Sequence, residues 1–191
     1  IPDHGCTHLM NELASPPSTV YLLRHAHAAW ARPGQRDFDR PLDDRGVSDA
    51  QLVAAAFAQY SLLPETILCS TARRCQQTCE ILVDHLPERP TLISDDKLYS
   101  QDEDYYVELL AAQTELPVLL IGHNPMMEDT ARLLSASAND RPGERLQKGF
   151  PTAGLATIEF SPAQSGPGQS GHLSAFLSPK RLRKKVLKAG I

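Results

Sequence analysis

The sequence predicts an α/β fold with three layers, a largely parallel central sheet covered by helices on both faces. Two observations carry this. The segments "TVYLL", "TILCS" and "VLLIG" are continuously apolar and rich in β-branched residues, as strands buried on both faces are. Between them lie amphipathic stretches of helical period, and strands alternating with helices argue βαβ units. In order, Thr19 to Leu23 reads as the first strand and Val47 to Tyr60 as a helix ended by Pro64. Thr66 to Ser70 is a strand running directly into a helix over Ala72 to His85, and "PTLIS" is a third strand. "DEDYYVELLAAQ" is a helix, "LPVLLIGHNP" holds the next buried strand, and Met126 to Leu134 continues as a helix. "GLATIEF" and "HLSAFLS" supply a late pair of strands, expected antiparallel at an edge.

With 191 residues the chain suits one domain, expected over 19–191. Residues 1–18 lack periodicity and end near a Pro-Pro pair, which marks a loose leader. The Gly/Ser/Pro-rich stretch within 161–171 reads as a mobile loop. The tail, 178–191, carries six basic residues and reads as a helix with a solvated cationic face, docked through Leu182, Val186 and Leu187. Its sharper alternative is a docking patch for an acidic partner or nucleic acid. The whole chain has a net charge of −4, which gives no overall footprint for nucleic acid or an anionic membrane. Cys6, Cys69, Cys75 and Cys79 form no C-x-x-C pair or disulfide framework, so packing in a reducing compartment is expected. With no apolar run of membrane length, the expected address is the cytoplasm.

In open parallel sheets ligands bind beyond the carboxyl ends of the strands. Here those ends are unusual. The first strand stops at Arg24 and His25, the second at Ser70 just before Arg73 and Arg74, and "VLLIG" runs into His123 and Asn124. Cations gathered at one sheet edge repel one another unless an anion joins them. Phosphate suits this arrangement, because the guanidinium fork matches phosphoryl oxygens and a helix start adds N–H donors. Neighbouring arginines also disfavour imidazolium, leaving His25 neutral with a ring nitrogen free as a nucleophile.

"LLRHAHA" resembles the Arg-His-Gly signature of the histidine phosphatase, or phosphoglycerate mutase-like, superfamily, with Ala26 where glycine is usual. "CSTARRCQQT" is similar to its second motif and "IGHNP" to its second-histidine motif. "DRPLDDRG", "IGHNPMMEDTA" and "FPTAGLATIEF" look like the compact SixA branch, the phosphohistidine phosphatases, so that the resemblance runs from about Thr19 to Phe160. It implies a phosphoglycerate mutase-like fold and His25 as the nucleophile that becomes phosphohistidine. It further implies Arg24 and Arg74 as the phosphoryl clamp, His123 as a donor from the opposite side, and Thr152 and Ala153 as backbone donors. No metal or cofactor is implied.

The resemblance leaves the substrate to chemistry. An alcohol leaving group calls for a proton from a poised acid, and Asp102 and Glu103 are weak candidates that match no signature. A P–N bond needs no dedicated acid, which agrees with the SixA-like motifs, and the resemblance then implies a phosphorylated protein, such as a histidine-containing phosphotransfer domain, as the expected partner. A small-molecule phosphomonoesterase, a mutase, and a non-catalytic phosphate-binding module stand as alternatives. His27, His85 and His172 read as surface or hydrogen-bonded residues and Arg73 as solvated or supporting. Arg40 is expected to pair with Asp43, Asp44 or the pocket. Trp30 is expected to line the entrance or pack, and the Ala26 methyl to narrow the approach to the nucleophile.

Overall fold

The computed structural model describes residues 19–113, 117–135, 140–160 and 170–189, with side chains to residue 185. The expected leader, most of the expected mobile loop, and the side chains of Val186 and Leu187 lie outside these residues. The strands are β1 (Thr19–Arg24), β2 (Thr66–Ser70), β3 (Thr91–Asp95), β4 (Val118–Gly122), β5 (Leu155–Glu159) and β6 (His172–Leu177). They form one sheet in the order β3-β2-β4-β1-β5-β6. β1 to β4 run parallel, β5 is antiparallel to both β1 and β6, and β6 lies at an edge, as the late strand pair was expected to.

The helices are α1 (Asp44–Gln59), α2 (Arg73–Val83), α3 (Lys97–Ser100), α4 (Glu103–Ala111), α5 (Met126–Leu134), α6 (Arg141–Leu146) and α7 (Pro179–Ala189), with a 3-10 turn at Asp37–Asp39. Successive strand residues point to opposite faces, and the core divides accordingly. Val20, Leu22, Leu68, Val118, Leu120 and Ile158 pack against α4 and α5 through Tyr106, Val107, Met127 and Ala131. Tyr21, Leu23, Ile67, Leu119 and Ile121 pack against α1 and α2 through Val53, Phe57, Cys75 and Leu82, with Leu182 of α7 docked beside them. The three described cysteines are buried free thiols, as expected. Among the described residues no helix is long and apolar enough to cross a membrane.

The order β2-β4-β1 decides where the site lies. Three adjacent parallel strands end together, and the turn before antiparallel β5 reaches the same edge. All four segments thus deliver side chains or backbone to one place, though they are far apart in sequence.

Candidate active site

His25 follows the last residue of β1 and is 8% exposed. Its Nδ1 lies 2.7 Å from the Ala26 carbonyl oxygen, so that nitrogen carries the proton and donates, leaving a lone pair on Nε2. Arg74 Nε donates to this Nε2 at 3.2 Å. Burial above all, then the charges of His123, Arg74 and Arg24, push the His25 pKa down to about 3. The expectation of a neutral histidine thus agrees with the structure, with burial rather than the arginines as the larger cause.

Arg74 lies in the first turn of α2 and is 7% exposed. Its Nη1 donates to the Asp37 carbonyl at 2.7 Å, and its Nη2 to Asp37 Oδ2 at 3.0 Å. Nη2 also lies 3.3 Å from His123 Nδ1. His123, beyond β4, places Nε2 at 2.9 Å from Ser70 Oγ and 3.4 Å from Cys75 Sγ. An arginine N–H facing Nδ1 leaves that nitrogen unprotonated, with the proton on Nε2 toward Ser70. Burial and the Arg74 charge push the His123 pKa down to about 4. The imidazole rings of His25 and His123 stand 5.2 Å apart between centroids. The carboxyl edge of the sheet therefore brings His25, Arg74 and His123 together.

Arg24 ends β1 and turns toward the loop before β5, where its Nη1 donates to the Phe150 carbonyl at 2.7 Å. Its Nε is buried with no protein acceptor, an available donor for an anion. Ala153, at φ 51°, donates its N–H to the His25 carbonyl at 3.1 Å. That amide holds the loop that carries His25, so the N–H expected to face a phosphoryl group is already engaged. Thr152 lies on the same turn, beside Arg24 and Asn124 at the mouth of a groove.

The supporting contacts explain the sequence motifs. Thr78 Oγ1 accepts from the Ala26 amide at 3.1 Å and donates to the Arg74 carbonyl at 2.7 Å, joining the loop that carries His25 to α2. Gln77 accepts from the Leu42 amide. Asp43 caps α1 by accepting from the Gly46 amide and also accepts from His27 Nδ1 at 2.7 Å. A methyl group on Gly46 would collide with the His27 carbonyl, which accounts for the glycine of "DDRG". The Ala26 methyl is fully buried in the core on the α1 and α2 side, so it does not narrow the approach to His25.

Sequence reasoning missed Asp37, Tyr99 and Tyr106. Asp37 accepts from Arg74, Arg40 and Tyr99. Burial raises its pKa, but the hydrogen bonds from Arg40 and Tyr99 and the arginine charges outweigh this and hold it below the usual carboxylate range. Arg40 thus pairs with Asp37 rather than with Asp43 or Asp44. Tyr99 sets its ring edge-on to His123 at 5.4 Å, and Tyr106 accepts from the His123 amide at 3.4 Å. Asp102 accepts from the Tyr105 amide as the cap of α4, and Glu103 lies in that helix's first turn. Arg73 pairs with Glu80 at the surface, and Trp30 is 89% exposed rather than packed.

Comparison with known proteins bears on the family and the fold. A family model described as the histidine phosphatase superfamily (branch 1) matches residues 20–102. The solved structure of SixA from Agrobacterium tumefaciens, named for phosphohistidine phosphatase, is 39% identical with a TM-score of 0.74, covering 85% of this chain and 99% of that one. A SixA structure complexed with tungstate shares the fold, with a TM-score of 0.69 at 23% identity over 86% of this chain and 99% of that one. An uncharacterised protein of Mycobacterium leprae is 31% identical over 83% of this chain and 100% of its own length. An uncharacterised chloroplastic protein of Arabidopsis thaliana is 30% identical over 68% of this chain, which spans 66% of that protein.

Proposed function

Since the chain belongs to the histidine phosphatase superfamily and is similar over most of its length to SixA proteins, we propose that it removes phosphate from phosphohistidine on a protein. The observation that carries this reading is the His25 geometry. Its Nδ1 is fixed by the Ala26 carbonyl, and its lone pair on Nε2 faces the guanidinium of Arg74. In the first step Nε2 attacks phosphorus and the bond from phosphorus to the substrate nitrogen breaks. The electron pair leaves on that nitrogen, which takes a proton from solvent. Arg24 and Arg74 hold the phosphoryl oxygens as charge shifts onto them. In the second step water attacks phosphorus, the P–Nε2 bond breaks, and its electrons return to His25 while inorganic phosphate takes the oxygen.

His123 begins neutral with Nδ1 toward Arg74. A phosphoryl dianion favours the imidazolium, so its arrival protonates Nδ1 and turns His123 into a donor. The guanidinium and imidazolium charges meet the electrostatic need, and the reading requires no metal.

The choice of P–N over P–O bonds rests on Asp37. This carboxylate contacts the cluster and is held ionised by Arg40, Tyr99 and Arg74, so it has no proton to give a departing alcohol. The test is phosphate release from a phosphohistidine protein and from a panel of phosphomonoesters, with chelator present throughout. Faster turnover of the phosphohistidine protein, unaffected by chelator, is expected. A preference for monoesters would retain the nucleophile and overturn the substrate, while loss of activity with chelator would overturn metal independence.

A further inference from the structure

A groove of about 820 Å³ is lined by Arg24, Asn124 and Thr152 together with the α6–β5 turn and the start of α7. Its size far exceeds what one phosphoryl group fills. Arg145 and Lys148 contribute to its lining from α6 and the turn after it, and Lys180, Arg181 and Arg183 from α7. The acids beside it are already engaged. Asp49 is paired with Arg183 and Arg45, and Glu128 with Arg132. Among the described residues, no ion pair neutralises Arg145, Lys148, Lys180 or Arg181. Arg181 Nε, like Arg24 Nε, is buried with no acceptor among the described residues, so two of the residues that line the same groove carry orphaned donors. The crowding is felt electrostatically. Burial, then the charges of Arg181 and Arg141, hold the Arg145 pKa below its ordinary value against the opposing charges of Glu144 and Asp140.

We infer that this groove is a second anion-binding site, which seats a carboxylate-rich segment of the protein substrate while the phosphoryl group sits at Arg24 and His25. Its phosphoryl end rests on the phosphohistidine reading; the groove itself does not. The cations reach an open groove on long side chains from two separate parts of the chain, α6 with the turn after it and the start of α7. Such spacing suits several carboxylates on an extended or helical surface better than one compact second phosphate, which needs convergent donors. Part of the basic tail thereby acquires a defined role, with Lys180, Arg181 and Arg183 facing the groove and Lys184 and Lys185 outside it.

The test measures binding of a fluorescein-labelled oligoglutamate peptide by anisotropy at low salt, which requires no turnover. Binding to the unaltered chain is expected. It should weaken at least tenfold in Lys148→Glu/Arg181→Glu and fall steeply with added salt. Lys184→Glu, a charge reversal on the same helix outside the groove, should change it less than twofold. In turnover assays the double variant should raise KM for a phosphohistidine peptide flanked by glutamates and leave phosphoramidate hydrolysis unchanged. No peptide binding, or equal weakening by Lys184→Glu, overturns the proposal. Tighter binding of a single-stranded oligonucleotide of equal charge, with the same variant dependence, reassigns the groove to nucleic acid and also overturns it. If peptide binding follows the groove residues but phosphohistidine is not hydrolysed, the substrate reading fails and the groove stands.

Discussion

Asp37 shows how one carboxylate can tune an anion site. It orients Arg74 through its backbone carbonyl and its carboxylate, and on the proposed reading that charge competes with an incoming phosphate for the same guanidinium. Asp37→Asn keeps an acceptor oxygen and removes the charge. Inorganic phosphate should then inhibit roughly threefold to tenfold more tightly, a difference of about 1 kcal/mol; unchanged or weaker inhibition would show that the charge does not reach the site. His123 makes a second prediction at this scale. Its pKa of about 4 leaves it neutral near pH 7, and a bound oxyanion should load Nδ1. Tungstate binding, followed by calorimetry in two buffers of different ionisation enthalpy, should take up close to one proton in the unaltered chain and none in His123→Asn. Equal uptake in both would place the proton elsewhere. The two histidines and Arg24 stood out in the sequence because apolar strands ran straight into them, and Arg74 because it lies in the first turn of the helix directly after a strand that ends at Ser70. Asp37 did not, because it lies in an acidic and basic stretch, "RDFDR", whose composition suits any exposed turn.

The strand-end segments and the α1 cap work as one supporting frame. Asp43 holds both the first turn of α1 and His27, and Gly46 lies against the His27 backbone. A methyl group there has nowhere to go, so Gly46→Ala should destabilise the chain by about 2–4 kcal/mol, read as a lowered denaturation midpoint. A change within 0.5 kcal/mol would mean that the loop is free to move aside. Most elements were legible because their periodicity was strong. β2 and α5 occupy the segments read from the sequence, and the remaining long elements differ mainly by a few terminal residues. The short ones were not legible. α3 has four residues and α6 has six, too few for an apolar stripe to recur, and α6 begins instead with Asp140 capping Gly143 ahead of a proline-bearing first turn.

Across the whole molecule, the strand order turns separate motifs into one site, and this was only partly readable. Parallel strands alternating with helices pointed to a shared carboxyl edge, but the adjacency β2-β4-β1 that puts Arg74, His123 and His25 in contact comes from long-range pairing. The cost of burying both histidines is a property of the whole fold. Their pKa values fall from 6.5 to about 3 and about 4, so on acidification the unfolded chain binds protons first. Stability present above pH 6.5 is therefore lost as pH falls toward 4, by at most about 1.4 kcal/mol per pH unit for each histidine. Denaturation midpoints should fall less steeply over that range in His25→Asn/His123→Asn than in the unaltered chain, and parallel slopes would contradict the burial account. The central claim is that His25 Nε2 carries the phosphoryl group. The direct measurement is to quench the enzyme under alkali during turnover and locate covalent phosphate by peptide mass spectrometry. Phosphate on His25, absent from His25→Ala together with all turnover, is the predicted result. Continued turnover in His25→Ala, with no phosphorylated histidine in the unaltered chain, would contradict it.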